Sequence, residues 1–370
     1  MLYFLIIRIM KTHRTYTSLV LFSSTISGIC REAWSHLPIL GLFIISGFPV
    51  LHGCESLHFQ DSSFTEAVHI APVKVAVHNH QEQLEGLDIF IFNDDDLQRL
   101  DSYQHETSPD PDEIKIFSQE GEKLLMACAN THHSLEDWMR IRSASALDDY
   151  KVDIEEETWE YPSMSCAMRL NAQNDTSAQE RLEMSRISSE ITLRSIVCDF
   201  KGRPYEGERL KNVKIYLTNV SATCPIWKEC SHPERIINHR RYCDEDMARM
   251  KDTGLLSAEI SAEIGKEPHL ADVHLRCYPN MSAAESPGSA YTRLVIQGDL
   301  EGQTWYWPIN INRSTTGVGE GIRRNMNYIY DIIITRKGSA DPDTAISTGS
   351  ITINMNIEGW RGKENCQVVF

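Results

Sequence analysis

The sequence predicts an all-β protein of two tandem β-sandwich domains with short helical excursions. Three observations carry that reading. Apolar stretches are short, and they either alternate with polar residues or run unbroken for a few positions, the patterns of half-buried and fully buried strands. Turn-forming clusters separate them, such as Asn93-Asp94-Asp95-Asp96, Ser108-Pro109-Asp110-Pro111 and Gly338–Pro342. Roughly 315 residues beyond the leader also exceed the ~100 that one sandwich holds.

In chain order, Val73–Val77 alternates, and Leu87–Phe92 is an apolar run bounded by Gly86 and the acidic turn, which reads as a buried strand. Further strands are expected at Lys123–Ala129, Ile191–Phe200, Val213–Val220, Val273–Tyr278, Tyr291–Gln297, Thr304–Ile311, Asn327–Thr335 and Ile351–Trp360. Helix signals are limited to Ser134–Arg142, where Ser134 and Asp137 give an N-cap signature, and to Glu234–Lys251. Composition shifts sharply into a cysteine- and charge-rich stretch after Val220, so the domains are placed at 54–220 and 221–370.

Residues 1–53 read as a leader. Leu37–Leu51 is a 15-residue uncharged apolar run preceded by Arg31. That is the shape of an export signal, and it is short of the ~20 residues a membrane span requires. Leu51-His52-Gly53-Cys54 resembles a lipobox, which makes Cys54 the expected lipidation site and its acyl group the expected link to the outer membrane. Arg8, Lys11 and Arg14 precede an earlier apolar patch at Leu19–Phe22. Two such signals in series imply that translation starts downstream of Met1.

Lys plus Arg number 36 against 52 for Asp plus Glu, a formal charge of −16. Beyond residue 53 the balance is 32 to 51, or −19, so a polyanion is repelled and nucleic acid is excluded as a partner. Of ten cysteines, eight remain after Cys30 and Cys54, and they allow 105 full pairings among which sequence does not choose. Cys224, Cys230 and Cys243 lie among His232 and His239, but the spacing C-x5-C-x-H-x6-H-x3-C matches no standard zinc module.

No other chemistry finds an address. Asp94, Asp95 and Asp96 lack the later bidentate acid and turn glycine of a calcium loop. Gly317-Val318-Gly319-Glu320-Gly321 has no following Lys-Ser/Thr and carries an acid, so it reads as an open loop. His132 and His133 precede Glu136 and Asp137, yet neither H-E-x-x-H nor G-x-S-x-G occurs. No catalytic residue, metal ligand or cofactor is expected. The sequons at Asn174, Asn219, Asn280 and Asn312 read as chance in a bacterial lipoprotein.

Several stretches together resemble the fimbrillins of Bacteroidales, the subunits of type V fimbriae. Gly86–Asn93 is similar to the family's first long strand, Met126–Asn130 to its strand ending in A-N, and Tyr161–Ser165 to its P-M-S/T turn. Arg186–Ile191 stands where the family has R-x-x-A-K-[IV], with Ser and Glu replacing Ala and Lys. Cys277–Asn280, Tyr291–Ile309 and Arg324-Asn325-x-x-Tyr328 resemble C-terminal motifs, and the match runs in consistent order over roughly residues 84 to 360. Asp343-Thr344-Ala345 resembles a Bacteroidetes O-glycosylation motif, which would place a sugar on Thr344.

The resemblance implies two transthyretin-like sandwiches on a surface lipoprotein that joins other fimbrial subunits by donor-strand exchange and supports adhesion to a host or bacterial ligand. It implies removal of an N-terminal strand by a trypsin-like protease. The strand is expected within Val68–Val77, and Lys74 is the only Lys or Arg from Cys54 to Gln98. Cleavage at Lys74 would therefore fall inside the strand itself. Glu364–Phe370 reads either as a terminal donor or as a plain edge strand. The rival reading is a surface lipoprotein that does not polymerise and binds a glycan or host protein through Trp305, Tyr306 and Trp307, although alternation would bury some of these.

Overall fold

The computed structural model describes residues 69–78, 82–107, 114–173, 179–230, 232–283, 285–286, 288–313, 321–344, 346, 349–359 and 366–369. The leader 1–53, Cys54, the sequon residue Asn174 and Gly317–Glu320 lie outside them. Within the described residues the fold is built from strands, as the alternation predicts.

The first nine strands are β1 (Ile70–His78), β2 (Gly86–Asn93), β3 (Leu100–Thr107), β4 (Ile114–Gln119), β5 (Gly121–Ala129), β6 (Lys151–Asp153), β7 (Met164–Ala172), β8 (Gln179–Glu183) and β9 (Ser185–Arg186). They form a three-stranded sheet in the order β4-β1-β8 and a five-stranded sheet in the order β3-β2-β5-β7-β9. Between them lies a core of Ala71, Val73, Val75, Val77, Leu87, Ile89, Ile91, Ile116, Leu125 and Leu182 with their neighbours. This is the first sandwich.

The unbroken apolar run of β2 has a cause. Its alternate residues Phe90 and Phe92, with Met126 and Cys128 of β5, face away from that core and pack against Trp138, Ile141 and Leu147. Phe90 meets Trp138 edge-on at 5.3 Å and Trp227 at 6.2 Å. A sheet covered on both faces needs apolar residues at every position rather than every second one.

The remaining strands are β10 (Ser189–Cys198), β11 (Lys211–Thr218), β12 (Val220–Ser221), β13 (Thr223–Pro225), β14 (Ile236–Ile237), β15 (Ser257–Ile260), β16 (His269–Cys277), β17 (Arg293–Leu300), β18 (Gln303–Asn310), β19 (Met326–Ile334), β20 (Ile351–Gly359) and β21 (Cys366–Val369). The second sandwich stacks the sheet β16-β10-β19-β20-β21 on the sheet β15-β11-β17-β18. Its core includes Ile191, Leu193, Ile215, Leu217, Leu275, Leu294, Ile296, Trp307, Tyr328, Tyr330 and Ile332.

The expected division at residue 220 does not follow the strand pairing. β10 and β11 lie before it, yet they hydrogen-bond only to strands that begin at Ser257 or later. β13, beyond it, pairs back to β6. The pairing changes hands between β9 and β10, and Glu66–Phe370 holds together as one unit. The composition shift at Ser221 marks an excursion out of the second sandwich, not the seam between the two.

That seam is polar. Arg186 Nε donates to Glu82 Oε1 at 2.8 Å, and the guanidinium also pairs with Glu190 at 3.2 Å. Arg276 stacks over Trp159 at 3.8 Å, and burial beside Arg186 pushes it down to about 10.

One helix forms as expected and one does not. α1 (Leu135–Trp138) carries a capping box in which the Ser134 side chain accepts from the Asp137 N–H and the Asp137 carboxylate accepts in return from the Ser134 N–H. Of Glu234–Lys251 only α2 (Asp244–Met247) is helical. Asn238 and Arg240 sit at φ of 52° and 65°, outside helical space. The Asn238 side chain fixes that path, since Nδ2 donates to Leu217 O at 3.0 Å and Oδ1 accepts from the Cys243 N–H at 3.1 Å.

Trp307 anchors the second sandwich. It is fully buried, and its indole N–H donates to Arg336 O at 3.0 Å. Gly338 lies so close to Tyr306 and Trp307 that a Cβ there would collide with the Tyr306 carbonyl. Trp307→Ala is expected to cost about 3–5 kcal/mol in urea denaturation, the range for a fully buried tryptophan.

Candidate functional site

The candidate site is strand β1. Its burial alternates along Ile70–His78, with Ala71, Val73, Val75 and Val77 inside and Pro72, Lys74, Ala76 and His78 half exposed. Proline is tolerated because it stands near the strand's start. β1 is the middle strand of its sheet. It runs antiparallel to β4 from Ile70↔Gln119 to Val75↔Ile114, and parallel to β8 from Lys74↔Gln179 to His78↔Glu183. The inward valines close one face of the first core, each contributing about 1.5–3 kcal/mol.

A buried polar joint lies next to this sheet. Lys123 of β5 is almost fully buried and pairs with Asp101 of β3 at 3.0 Å, and its ammonium donates to Asn93 Oδ1 at 2.6 Å. Asp101 also accepts from the Ser118 hydroxyl at 2.6 Å and the Gln119 N–H at 2.8 Å, both on β4. One carboxylate thus ties β4 to the larger sheet. Burial pushes its pKa up, but the bonds from Ser118, Lys123 and Gln119 outweigh that and hold it below the usual carboxylate value.

Lys74 stands at the middle of β1, half exposed, opposite Lys115 on one side and Gln179 on the other. Its peptide bond is flanked by hydrogen-bonded strands, so a protease reaches it only after β1 opens or before β1 is seated. Thr344 is exposed on the turn that follows Asp341, a position open to modification. Cys54 lies outside the described residues. The backbone of β21 pairs antiparallel with β20, Asn354↔Val369 to Ile357↔Cys366, as the edge strand of its own sheet.

The other sequence candidates are apart from β1. Cys224 and Cys230 are buried thiols, and Cys230 Sγ donates to His232 O at 3.3 Å. Among the described residues no three His, Cys, Asp or Glu side chains form a metal site, and Cys128, Cys198, Cys224, Cys230, Cys243 and Cys277 are free thiols. Asp95 Oδ1 caps its own turn by accepting from the N–H groups of Leu97 and Gln98. Of the three clustered aromatics only Trp307 is fully buried, while Trp305 and Tyr306 are half exposed.

His132 and His133 do meet partners that sequence reading missed. With Asp88, His105, Glu156 and Lys251 they line an open cleft of about 420 Å³. His105 Nδ1 lies 2.8 Å from Asp88, which also accepts from the Tyr103 hydroxyl at 2.7 Å. Burial, with Lys251 nearby, lowers the His132 pKa. These residues come from β2, β3 and loops far apart in the chain, and no local spacing announces them.

No protein-family model and no curated protein matches the chain. Solved structures do. A candidate cell adhesion protein from Bacteroides eggerthii aligns with a TM-score of 0.59 at 14% identity, over 78% of this chain and 96% of that one. A second, from Parabacteroides distasonis, aligns at 0.56 and 14% over the same shares. A fimbrilin from Porphyromonas gingivalis aligns at 0.54 and 12%, over 78% of this chain and 97% of its own. The chain shares their fold. The two-sandwich expectation drawn from the sequence agrees with the sheet order seen here, and the likeness runs over 96–97% of each of those chains.

Two substitutions one residue apart separate the faces of β1. Val75→Asp buries a carboxylate in the first core and should cost about 3 kcal/mol or more in urea denaturation, whereas Lys74→Gln should change stability by about 0.5 kcal/mol or less. Asp101 sets an acid limit. Because its folded pKa is depressed, its contribution is present above about pH 3.8 and is lost as pH falls through the folded value. Asp101→Asn should remove that slope from stability measured against pH.

Proposed function

We propose that this chain is a structural or accessory subunit of a cell-surface fimbria, assembled by strand exchange and supporting adhesion. What carries the reading is the shared fold along 97% of a fimbrilin's length. In this reading the protein is not an enzyme. It is exported, lipidated at Cys54 and held at the outer membrane, and Thr344 is a position for O-glycosylation.

β1 supports the mode of assembly. A middle strand that contributes one face of a core leaves, on departure, two unpaired strand edges and an apolar groove, which an alternating strand from another chain refills by β-augmentation. Processing at Lys74 would release the part of β1 that pairs with β4 up to Lys74↔Lys115, freeing Ala71 and Val73 from the core, while Val75–His78 stays on β8 until it too is displaced. A subunit that keeps its lipid and its own β1 would act as an anchor or cap, and one that loses both would repeat along a shaft.

Incubating the purified chain with an arginine- and lysine-specific protease tests this. A product that begins at Val75 and runs as heat-stable multimers is expected, and Lys74→Gln should abolish both. A cleaved, folded chain that stays monomeric contradicts the reading.

A further inference from the structure

β9 covers the edge of β7 at two positions only, Met164↔Arg186 and Ser165↔Ser185. Beside them opens a cavity of about 320 Å³, lined by Ser165, Cys166, Ala167, Ser185, Trp227, Arg324 and Asn325. In a chain of net charge −16 the lining contains a guanidinium and no carboxylate.

The hydrogen bonds show which groups are spent and which are spare. Arg324 donates from Nη1 to Ile226 O at 3.1 Å and from Nη2 to Ser165 Oγ at 2.8 Å, both neutral oxygens. A guanidinium has five N–H donors, so three are left over. Glu229 reaches only the Arg324 backbone N–H, at 3.5 Å, and no described acid forms an ion pair with the guanidinium. Asn325 Oδ1 accepts from the Arg186 N–H at 3.2 Å, which turns the amide so that Nδ2 is its spare group. The Ser185 hydroxyl has no described partner. The Trp227 indole N–H is engaged by the carbonyls of Ala127 and Cys166, so the ring offers the cavity its apolar carbons.

We propose that this cavity binds a single carboxylate, with Arg324 as its fork, Asn325 and Ser185 as flanking donors, and Trp227 as the wall against which the attached group lies. An Arg fork matches a planar carboxylate with two parallel bonds, and the volume suits a side-chain-sized group. A dianion is disfavoured, because the lining supplies one cation and the neighbouring Arg186 is already engaged by Glu82 and Glu190. Burial lowers the Arg324 pKa against only the partial opposition of Cys224 and Glu229, as expected of a charge short of a counter-ion. The inference stands apart from the fimbrial reading and holds whether or not the chain polymerises.

The test follows the Trp227 indole resonance of the whole chain by ¹H–¹⁵N NMR, assigned with Trp227→Phe. Benzoate represents a free organic acid, and acetyl-glutamate amide represents a carboxylate on a polypeptide. Either should shift the resonance saturably, while benzamide and acetyl-glutamine amide should not, and Arg324→Gln should weaken binding by about tenfold or more. Tighter binding of benzoate assigns the ligand to free acids, and tighter binding of the peptide assigns it to a partner chain. Should Arg324→Gln not fold, the comparison of acid with amide on the natural sequence decides alone. The proposal is overturned if no carboxylate moves the resonance at tens of millimolar, or if the neutral amides move it equally.

Discussion

The first sandwich depends on how one strand is seated. β1 lies between β4 and β8, and its four inward side chains form one wall of a core whose opposite wall is β2 and β5. An edge strand can be lost with one row of hydrogen bonds broken. A middle strand can be lost only with two rows broken and a wall removed, so its departure leaves a vacancy with a defined shape and backbone register. β1 runs antiparallel to β4 over Ile70–Val75 and parallel to β8 over Lys74–His78, so a replacement strand would have to satisfy one ladder along its first half and a different one along its second. That requirement selects for direction and register as well as for apolar alternation.

The second sandwich is a different kind of object. Its two sheets enclose large aromatic residues, Trp307, Tyr328 and Tyr330, whose polar atoms are satisfied from within. The Trp307 N–H reaches Arg336 O, and the Tyr330 hydroxyl accepts from the Asn312 N–H at 3.3 Å. The larger sheet of the first sandwich is packed against the same continuous core through Phe90 and Phe92. Opening at β1 therefore lies on the face remote from that shared core, and the remainder of the molecule keeps its main apolar support.

Much of this was legible in the sequence where a strand buries one face or two. Val73–Val77 alternates because it is half buried, and Leu87–Phe92 does not alternate because β2 is covered on both sides. β3 was missed because it is an edge strand whose residues Asp101, Tyr103 and His105 serve a polar network instead of a core. β8 was missed because Leu182 is its one apolar residue. Glu234–Lys251 has helical composition, but the Asn238 side chain holds the backbone to a path that propensity does not encode. Composition does not show where the strand pairing changes hands, for a related reason. Cysteine and charge mark where the chain leaves a sheet, while the seam between sandwiches is written in contacts such as Arg276 over Trp159, 117 residues apart. The acid-free cavity at Arg324 is likewise assembled from β7, β9 and two distant loops, which only the fold brings together.

The account rests on β1 being separable and replaceable. A labelled peptide of Ile70–His78, titrated into a chain that begins at Glu82, measures this directly by fluorescence anisotropy with circular dichroism in parallel. Saturable one-to-one binding, with a gain in strand signal, is the predicted result. A remainder that neither binds the peptide nor gains structure from it would contradict the claim that this strand's seat can be vacated and refilled.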